Sequence, residues 1–450
     1  MARILITLLG CDKNRIDAEI IMKKLTDAGH TLAEDPQKSD LALINTCGFI
    51  EASKQESIEA VFDMIRLKES GESEINTVVV TGCLAERYRE QLADMIPEID
   101  AVVGIGRNSD IVRIVNAVLD GEKTTVFENP EKLPIEGKRI LSTPKHYAYL
   151  KIAEGCSNRC SYCAIPDIRG KFRSRSPDDV INEAGCLAGE GVKELILVAQ
   201  DTTAYGRDLA RKTNLSELLC ELADIDGLWK IRIMYAYPEL ITDSLIETIN
   251  NKERIAKYID IPFQHADAGI LKRMGRTGDK EKLLALVKRL REGIPGLTMR
   301  SSFIVGFPGE GMREFGELMD FVNEAKIDRA GCFVYSSEEG TPAYQLKGRV
   351  SEKVKKSRAE AFMNRQATIT GEKQKEKTGR TAEVLVDRFD DERGMYCGRT
   401  ESDAPQVDTE VLIKSKYHIQ PGDIVKVRIT GSDLFDLTGT IKREIDLAQE

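Results

Sequence analysis

The sequence predicts an α/β protein in three parts: an N-terminal doubly wound α/β domain over residues 1–119, a central partial (β/α) barrel over 148–377, and a small C-terminal antiparallel β-barrel over 378–445. Three observations carry this. Short apolar runs alternate with amphipathic stretches through most of the first 350 residues, the pattern of parallel strands joined by crossover helices. Residues 120–147 interrupt it with Gly121, Pro130, Pro134, Gly137 and Pro144 among charged side chains, as a linker does. Beyond residue 380 helical spacing gives way to β-rich runs broken by Gly and Asp.

The elements follow in order. In the first part 4–9, 41–44, 78–80 and 101–103 read as strands, and 18–28 and 53–68 as helices. In the second, strands are expected at 148–152, 194–198, 230–234, 258–261, 298–305 and 330–334, with a helix at 280–291 among those between them. Residues 351–377 read as a charged helix, and 381–386, 410–413 and 424–429 as strands of the last part. Barrel enzymes of this kind work at the C-terminal ends of their strands.

Composition narrows the classes. The chain's 450 residues suggest about three domains, and 41% hydrophobic with 31% charged residues is globular composition, not that of a disordered or collagenous chain. No apolar run reaches the length of a membrane span, and 4–9 lacks the flanks of a secretory signal, so a cytoplasmic location without membrane partner is expected. With 74 acidic against 65 basic residues and a net charge of -9, there is no global field for nucleic acid. Ten cysteines without a secretory signal point to metal or catalysis rather than disulfides.

Two cysteine sets stand out. Cys156, Cys160 and Cys163 occupy one loop directly after the first strand of the central part. Three thiolates so spaced hold three irons of a cubane and leave the fourth open, whereas a zinc site would recruit a fourth ligand such as His146 or His265. Cys11, Cys47 and Cys83 lie 36 residues apart, each after an apolar run, and strands of a parallel sheet share one C-terminal edge. The three thiols should therefore converge. Cys186, Cys220, Cys332 and Cys397 share no spacing and are expected to pack. Asp201, Gln264 and His265 fall near strand ends, where they face a ligand or bond along the rim. Arg169 and Lys171 either pair with a carboxylate or form a solvated basic face. The glycine-rich 305–309 segment, with Gly306 and Glu310, would let backbone approach a ligand.

The C-x3-C-x2-C loop, with aromatic Tyr162 before its last cysteine, resembles the radical SAM superfamily, in which the open iron chelates S-adenosylmethionine. Together with NTCG at 45–48, TGC at 81–83, VGFPGE at 305–310 and YSSEEGTP at 335–342, it makes the chain similar to the methylthiotransferase family over nearly its whole length. That resemblance implies two 4Fe-4S clusters, one on Cys156, Cys160 and Cys163 and an auxiliary one on Cys11, Cys47 and Cys83, and a TRAM-type last domain. It also implies S-adenosylmethionine as cofactor, with Tyr162, Arg169, Gly306, Glu310 and Gln264 as candidate contacts, and a reductant such as flavodoxin or ferredoxin. Within the family, CGFIEASKQESI (47–58), CAIPDIRGKFRSR (163–175), AQDTTAYG (199–206) and DIPFQHADAGILKRM (260–274) resemble the RimO type. Such enzymes methylthiolate the β-carbon of an aspartate in ribosomal protein S-twelve, through a 5'-deoxyadenosyl radical and sulfur carried by the auxiliary cluster. Ser336-Ser337 replaces the family's usual Ser-Pro, and Gly311 its common Thr.

Two rivals have distinct signatures. A tRNA methylthiotransferase of the same family needs a basic last domain to hold phosphates, but 380–443 contains ten Lys or Arg against twelve Asp or Glu, a balance suited to a basic protein. A non-enzymatic iron-sulfur carrier would not bind S-adenosylmethionine.

Overall fold

The computed structural model describes residues 1–441; the end of the expected last domain, 442–445, lies outside the described residues. The first sheet contains β1 (Arg3–Leu8), β2 (Thr31–Ala33), β3 (Leu41–Thr46), β4 (Thr77–Gly82), β5 (Ala101–Val103) and β6 (Thr124–Val126), all parallel, in the order β2-β1-β3-β4-β5-β6. Every residue of β3 and β4 is buried, as their unbroken apolar runs require when both faces carry helices. Ile21, Leu25, Ile114 and Val115 pack one face; Val61, Ile65, Leu84 and Ala85 pack the other. The edge strands β2 and β6 escape sequence reading because each has three residues and no apolar alternation. β6 falls inside the stretch read as a linker, so the sheet reaches six strands rather than four.

The central sheet is open and parallel, β14-β13-β12-β11-β10-β7, with β7 (Tyr147–Lys151), β10 (Glu194–Val198), β11 (Lys230–Ile233), β12 (Ile255–Asp260), β13 (Thr298–Val305) and β14 (Arg329–Val334). A two-residue ribbon, β8 (Ala153–Glu154) against β9 (Arg173–Ser174), brackets the Cys156–Cys163 loop. Side chains alternate across the sheet. Ala148, Leu150, Leu195 and Leu197 face the outer helices, whereas Tyr149, Ile196, Val198 and Tyr258 face inward. Inside the half-barrel they meet Ile16 and Ile20 of the helix Asp12–Asp27 and Ala404. That packing turns the thiol-bearing edge of the first sheet toward the mouth of the second.

The charged helix Glu352–Lys375 leads to a closed five-stranded barrel of β15 (Thr381–Asp390), β16 (Met395–Arg399), β17 (Val411–Lys414), β18 (Ile424–Asp433) and β19 (Asp436–Ile441). Its pairings are antiparallel except β17 with β19. Buried ion pairs hold it to the central sheet, Arg329 to Asp403 at 2.6 Å and Glu194 between Arg232 and Arg399, and His146 Nε2 lies within hydrogen-bond distance of Asp387 at 2.8 Å. Among the described residues no helix is long and apolar enough to cross a membrane.

Candidate active site

The Cys156–Cys163 loop leaves the C-terminal end of the first central strands and is braced on every side. The Cys156 amide donates to the Gly170 carbonyl at 3.1 Å, and the Ser161 amide to that of Met274 at 2.9 Å. Ser161 accepts from the Ala343 amide at 2.8 Å, and the Asn158 side-chain amide donates to Asp201 at 2.8 Å. Arg159 takes a left-handed backbone, φ 47°, to complete the turn. The three thiols are half-buried, and burial pushes Cys156 up to about 11 and Cys163 up to about 12. The Tyr237 hydroxyl lies 3.9 Å from Cys160 Sγ.

Cys11 caps the helix Asp12–Asp27, Cys47 follows β3 and Cys83 opens the short helix after β4. Glycines let these turns close. A Cβ on Gly10 would lie 2.8 Å from Cys47 Cβ, and one on Gly48 would lie 2.8 Å from the backbone of Leu84. Cys11 is exposed, while Cys47 and Cys83 are buried; burial raises both buried thiols, Cys83 to about 12. Loading metal on these sets must therefore release protons.

Arg169, six residues beyond Cys163, does not face solvent; it is 1% exposed and crosses to the N-terminal domain. Its guanidinium pairs with Asp17 and Glu154, both at 2.9 Å, and donates to Asn14 at 3.3 Å and to Cys83 Sγ at 3.4 Å. Lys151 pairs with the same two carboxylates, so two positive and two negative charges are buried together. Burial works against the Glu154 carboxylate, but Arg169 and Lys151 outweigh it and hold its pKa well below the usual range. The side chain read as either a ligand's carboxylate partner or part of a solvated basic face is engaged by protein carboxylates, Asp17 on the helix that follows Cys11 and Glu154 on the strand that precedes Cys156.

The remaining expected contacts divide. Tyr162 packs against the cluster of Ile270, Met274 and Phe307. Gln264 lies on a left-handed backbone, φ 70°, and its side-chain amide has no hydrogen bond among the described residues. Gly306 and Glu310 are turned to each other: the Gly306 amide donates to Glu310 at 2.8 Å, and Arg358 pairs with the same carboxylate at 2.7 Å. A Cβ built on Gly306 would collide with the Lys355 stem. Lys171 stays near the surface. Of the four cysteines expected to pack, Cys397 is buried and Cys220 and Cys332 half-buried, but Cys186 is exposed on the outer face of its helix.

Three thiols per set are donors that a four-iron cluster takes with one iron left open, whereas a zinc site would draw a fourth ligand. A tetrahedral zinc with bonds of about 2.3 Å draws its thiolates to within roughly 4 Å of one another, whereas a four-iron cube spreads them. The proposed fourth ligands have other partners. His146 precedes β7, at the opposite end from the loop, and binds Asp387; His265 Nδ1 accepts from the Asp267 amide, with Nε2 3.5 Å from Glu310.

Sequence reasoning missed Asn14, Asp17, Lys151 and Glu154, and also Lys13 and Tyr235, where the Lys13 ammonium stands over the Tyr235 ring. The available signal was local: Asn14 and Asp17 follow Cys11 at helical spacing on one face.

Comparison with known proteins bears on the same regions. Residues 3–104 match the family described as UPF0004, 150–322 the radical SAM superfamily and 378–441 the TRAM domain. The chain is 47% identical over 433 residues to the ribosomal protein uS12 methylthiotransferase RimO of Pelotomaculum thermopropionicum, covering 96% of this chain and 97% of that one. It is 45% identical over 446 residues to the protein of that name from Clostridioides difficile, covering 99% and 100%. Among solved structures it shares a fold with the radical S-adenosylmethionine methyltransferase TsrM of Kitasatospora setae, solved with cobalamin and a [4Fe-4S] cluster, at TM-score 0.56 and 15% identity over 76% of this chain and 77% of that one. Use of S-adenosylmethionine and an iron-sulfur cluster follows from the radical SAM match and from the near-full-length relatives. The chain belongs to the RimO family of radical SAM methylthiotransferases.

Proposed function

We propose that the protein adds a methylthio group to the β-carbon of an aspartate in ribosomal protein uS12, with two clusters, in the cytoplasm, drawing electrons from a flavodoxin or ferredoxin. The observation that carries the reading is the seam itself: Arg169, on the helix Ile165–Arg169 that follows the Cys156–Cys163 loop, ends 3.4 Å from Cys83, so the segment leaving the first thiol set reaches the second. Near-full-length kinship with relatives named for uS12 supports the substrate.

Cys156, Cys160 and Cys163 would hold one cluster and Cys11, Cys47 and Cys83 the other. With S-adenosylmethionine bound, the first supplies an alkyl radical and the second a sulfur source, chemistry that suits an unactivated C–H bond where no acid or base would serve. The chain's own residues do the rest. Asn158 and Asp201 fix the loop against the next strand, and Tyr237 offers its phenol to Cys160. Arg169 donates to Cys83 and neutralises the carboxylates beneath it, which keeps the second set at a fixed distance from the first. The amide of Gln264, with no hydrogen bond among the described residues, would serve as a donor and acceptor for cofactor or substrate. Buried helix and strand faces exclude water from the seam.

The test is metal content and its division. Anaerobically reconstituted protein should hold about eight irons, four per cube. Changing Cys11, Cys47 and Cys83 together to Ala should leave about four, preserve reductive formation of 5'-deoxyadenosine and abolish methylthiolation. Wild-type protein with about four irons, or methylthio product from the triple variant, would overturn the two-cluster reading.

A further inference from the structure

We propose that Lys13 recognises the side-chain carboxylate of the substrate aspartate and so selects an acidic protein residue for modification; this rests on the reading above. Lys13 lies two residues beyond Cys11 in the first turn of its helix and is only 7% exposed. Its ammonium stands 3.3 Å from the centroid of the Tyr235 ring, and among the described residues it has no hydrogen bond and no ion pair. A buried ammonium is partly compensated by an aromatic face, but its N–H groups still call for an acceptor.

The platform beneath it is fixed. Tyr235 follows β11 on a left-handed backbone, φ 58°, a conformation that a bulky residue holds only when its surroundings impose it. Its amide donates to Asp260 at 3.2 Å, its carbonyl accepts from the Thr202 amide at 3.1 Å, and its hydroxyl donates to Asp12 at 2.9 Å. Two residues on, Tyr237 reaches Cys160. Lys13 therefore stands between the two thiol sets, beside Cys11 on one side and along the Tyr235–Tyr237 rim on the other.

Neighbouring cations are already engaged. Arg169 and Lys151 share Asp17 and Glu154, Arg300 pairs with Asp260 at 3.1 Å, and Arg276 donates to the Pro262 carbonyl at 2.8 Å while stacking on Tyr237. Lys13 keeps its charge unspent beside Cys11 and over the Tyr235 ring. The chemistry of the target matches: the carboxylate of aspartate is bonded to the β-carbon itself, so a cation gripping it holds the reacting carbon one bond away. A compact ammonium with three donors on a flexible stem suits that task. A purine ring brings no anion to that point, which makes Lys13 a discriminator between protein and tRNA targets as well.

The test uses the reconstituted full-length protein and a fluorescent uS12 peptide spanning the modified aspartate, with Asp or Asn at that position, measured by anisotropy. Wild type should bind the Asp peptide about tenfold or more tightly than the Asn peptide. Lys13→Met should bind both at the Asn level, Lys13→Arg should keep the preference, and iron content and the electron paramagnetic resonance of the reduced clusters should be unchanged in both. Equal binding of the two peptides by wild type, or a preserved preference in Lys13→Met, overturns the proposal. Loss of preference together with loss of iron assigns Lys13 to the clusters instead and overturns it too. A wild-type protein that modifies neither uS12 nor its Asp peptide fails the parent reading, a result separable from the others because it precedes any variant.

Discussion

Removing Arg169 should destabilise the protein by breaking the buried charge balance at the domain seam. Wild type buries Arg169 and Lys151 against Asp17 and Glu154, each side chain 3% exposed or less. Arg169→Met leaves one positive charge to serve two carboxylates and also removes the donor to Cys83. Breaking a buried pair by removing one partner costs about 3–5 kcal/mol, because the orphaned charge stays out of water. At roughly 2 °C per kcal/mol for a chain of this size, the metal-free protein should melt on the order of 5–10 °C lower in anaerobic calorimetry. Adding Asp17→Asn restores one charge of each sign, so the double variant should recover about half of the loss or more. Arg169→Lys keeps the charge but not the fork that spans four partners, and should fall between. A single variant melting within about 1 °C of wild type, or a double variant less stable than the single, would refute the argument.

Two further outcomes follow from the same geometry. Gly10→Ala places a methyl 2.8 Å from Cys47 Cβ at a φ of +90°, so it should force the Cys11–Cys47 turn open and lower reconstituted iron by about half while 5'-deoxyadenosine formation persists; full iron content would contradict it. Burial opposes ionisation of Asp403, but Arg329 and Lys377 outweigh it and lower its pKa from its ordinary 3.8 to about 2. A depressed carboxylate stabilises the fold fully above the unfolded value and loses that contribution as pH falls through about 2, so about 2 kcal/mol of barrel docking should vanish between about pH 4 and 2. Denaturant titrations across that range should slope for wild type and flatten for Asp403→Asn; identical slopes would dismiss the pair.

What could be read from sequence was whatever local spacing encodes. The strands of both parallel sheets announce themselves because burial on two faces demands continuous apolar runs, as in β3, β4 and β10. Strands β2 and β6 do not, because a three-residue edge carries too little pattern to separate from a loop. β16 is hidden likewise, its five residues broken by Gly398. The cysteine sets were legible, one from spacing within a loop and the other from equivalent places at strand ends. The seam was not. Arg169 and Cys83 are 86 residues apart, and Asp12 and Tyr235 are 223 apart, so their pairing exists only once the N-terminal helix fills the half-barrel. The partners of Arg169 and Glu310 were equally hidden, because the fold brings them from elements that sequence spacing could not bring near.

The central claim, that a protein aspartate and not a nucleoside is methylthiolated, is tested most directly by offering purified uS12 and a bulk tRNA pool together to the reconstituted enzyme, with S-adenosylmethionine, reductant and a sulfide source, followed by mass spectrometry of both. A methylthio increment on an aspartate of uS12, with none on tRNA, is the expected result. The increment on tRNA adenosine with unmodified uS12 would contradict the account.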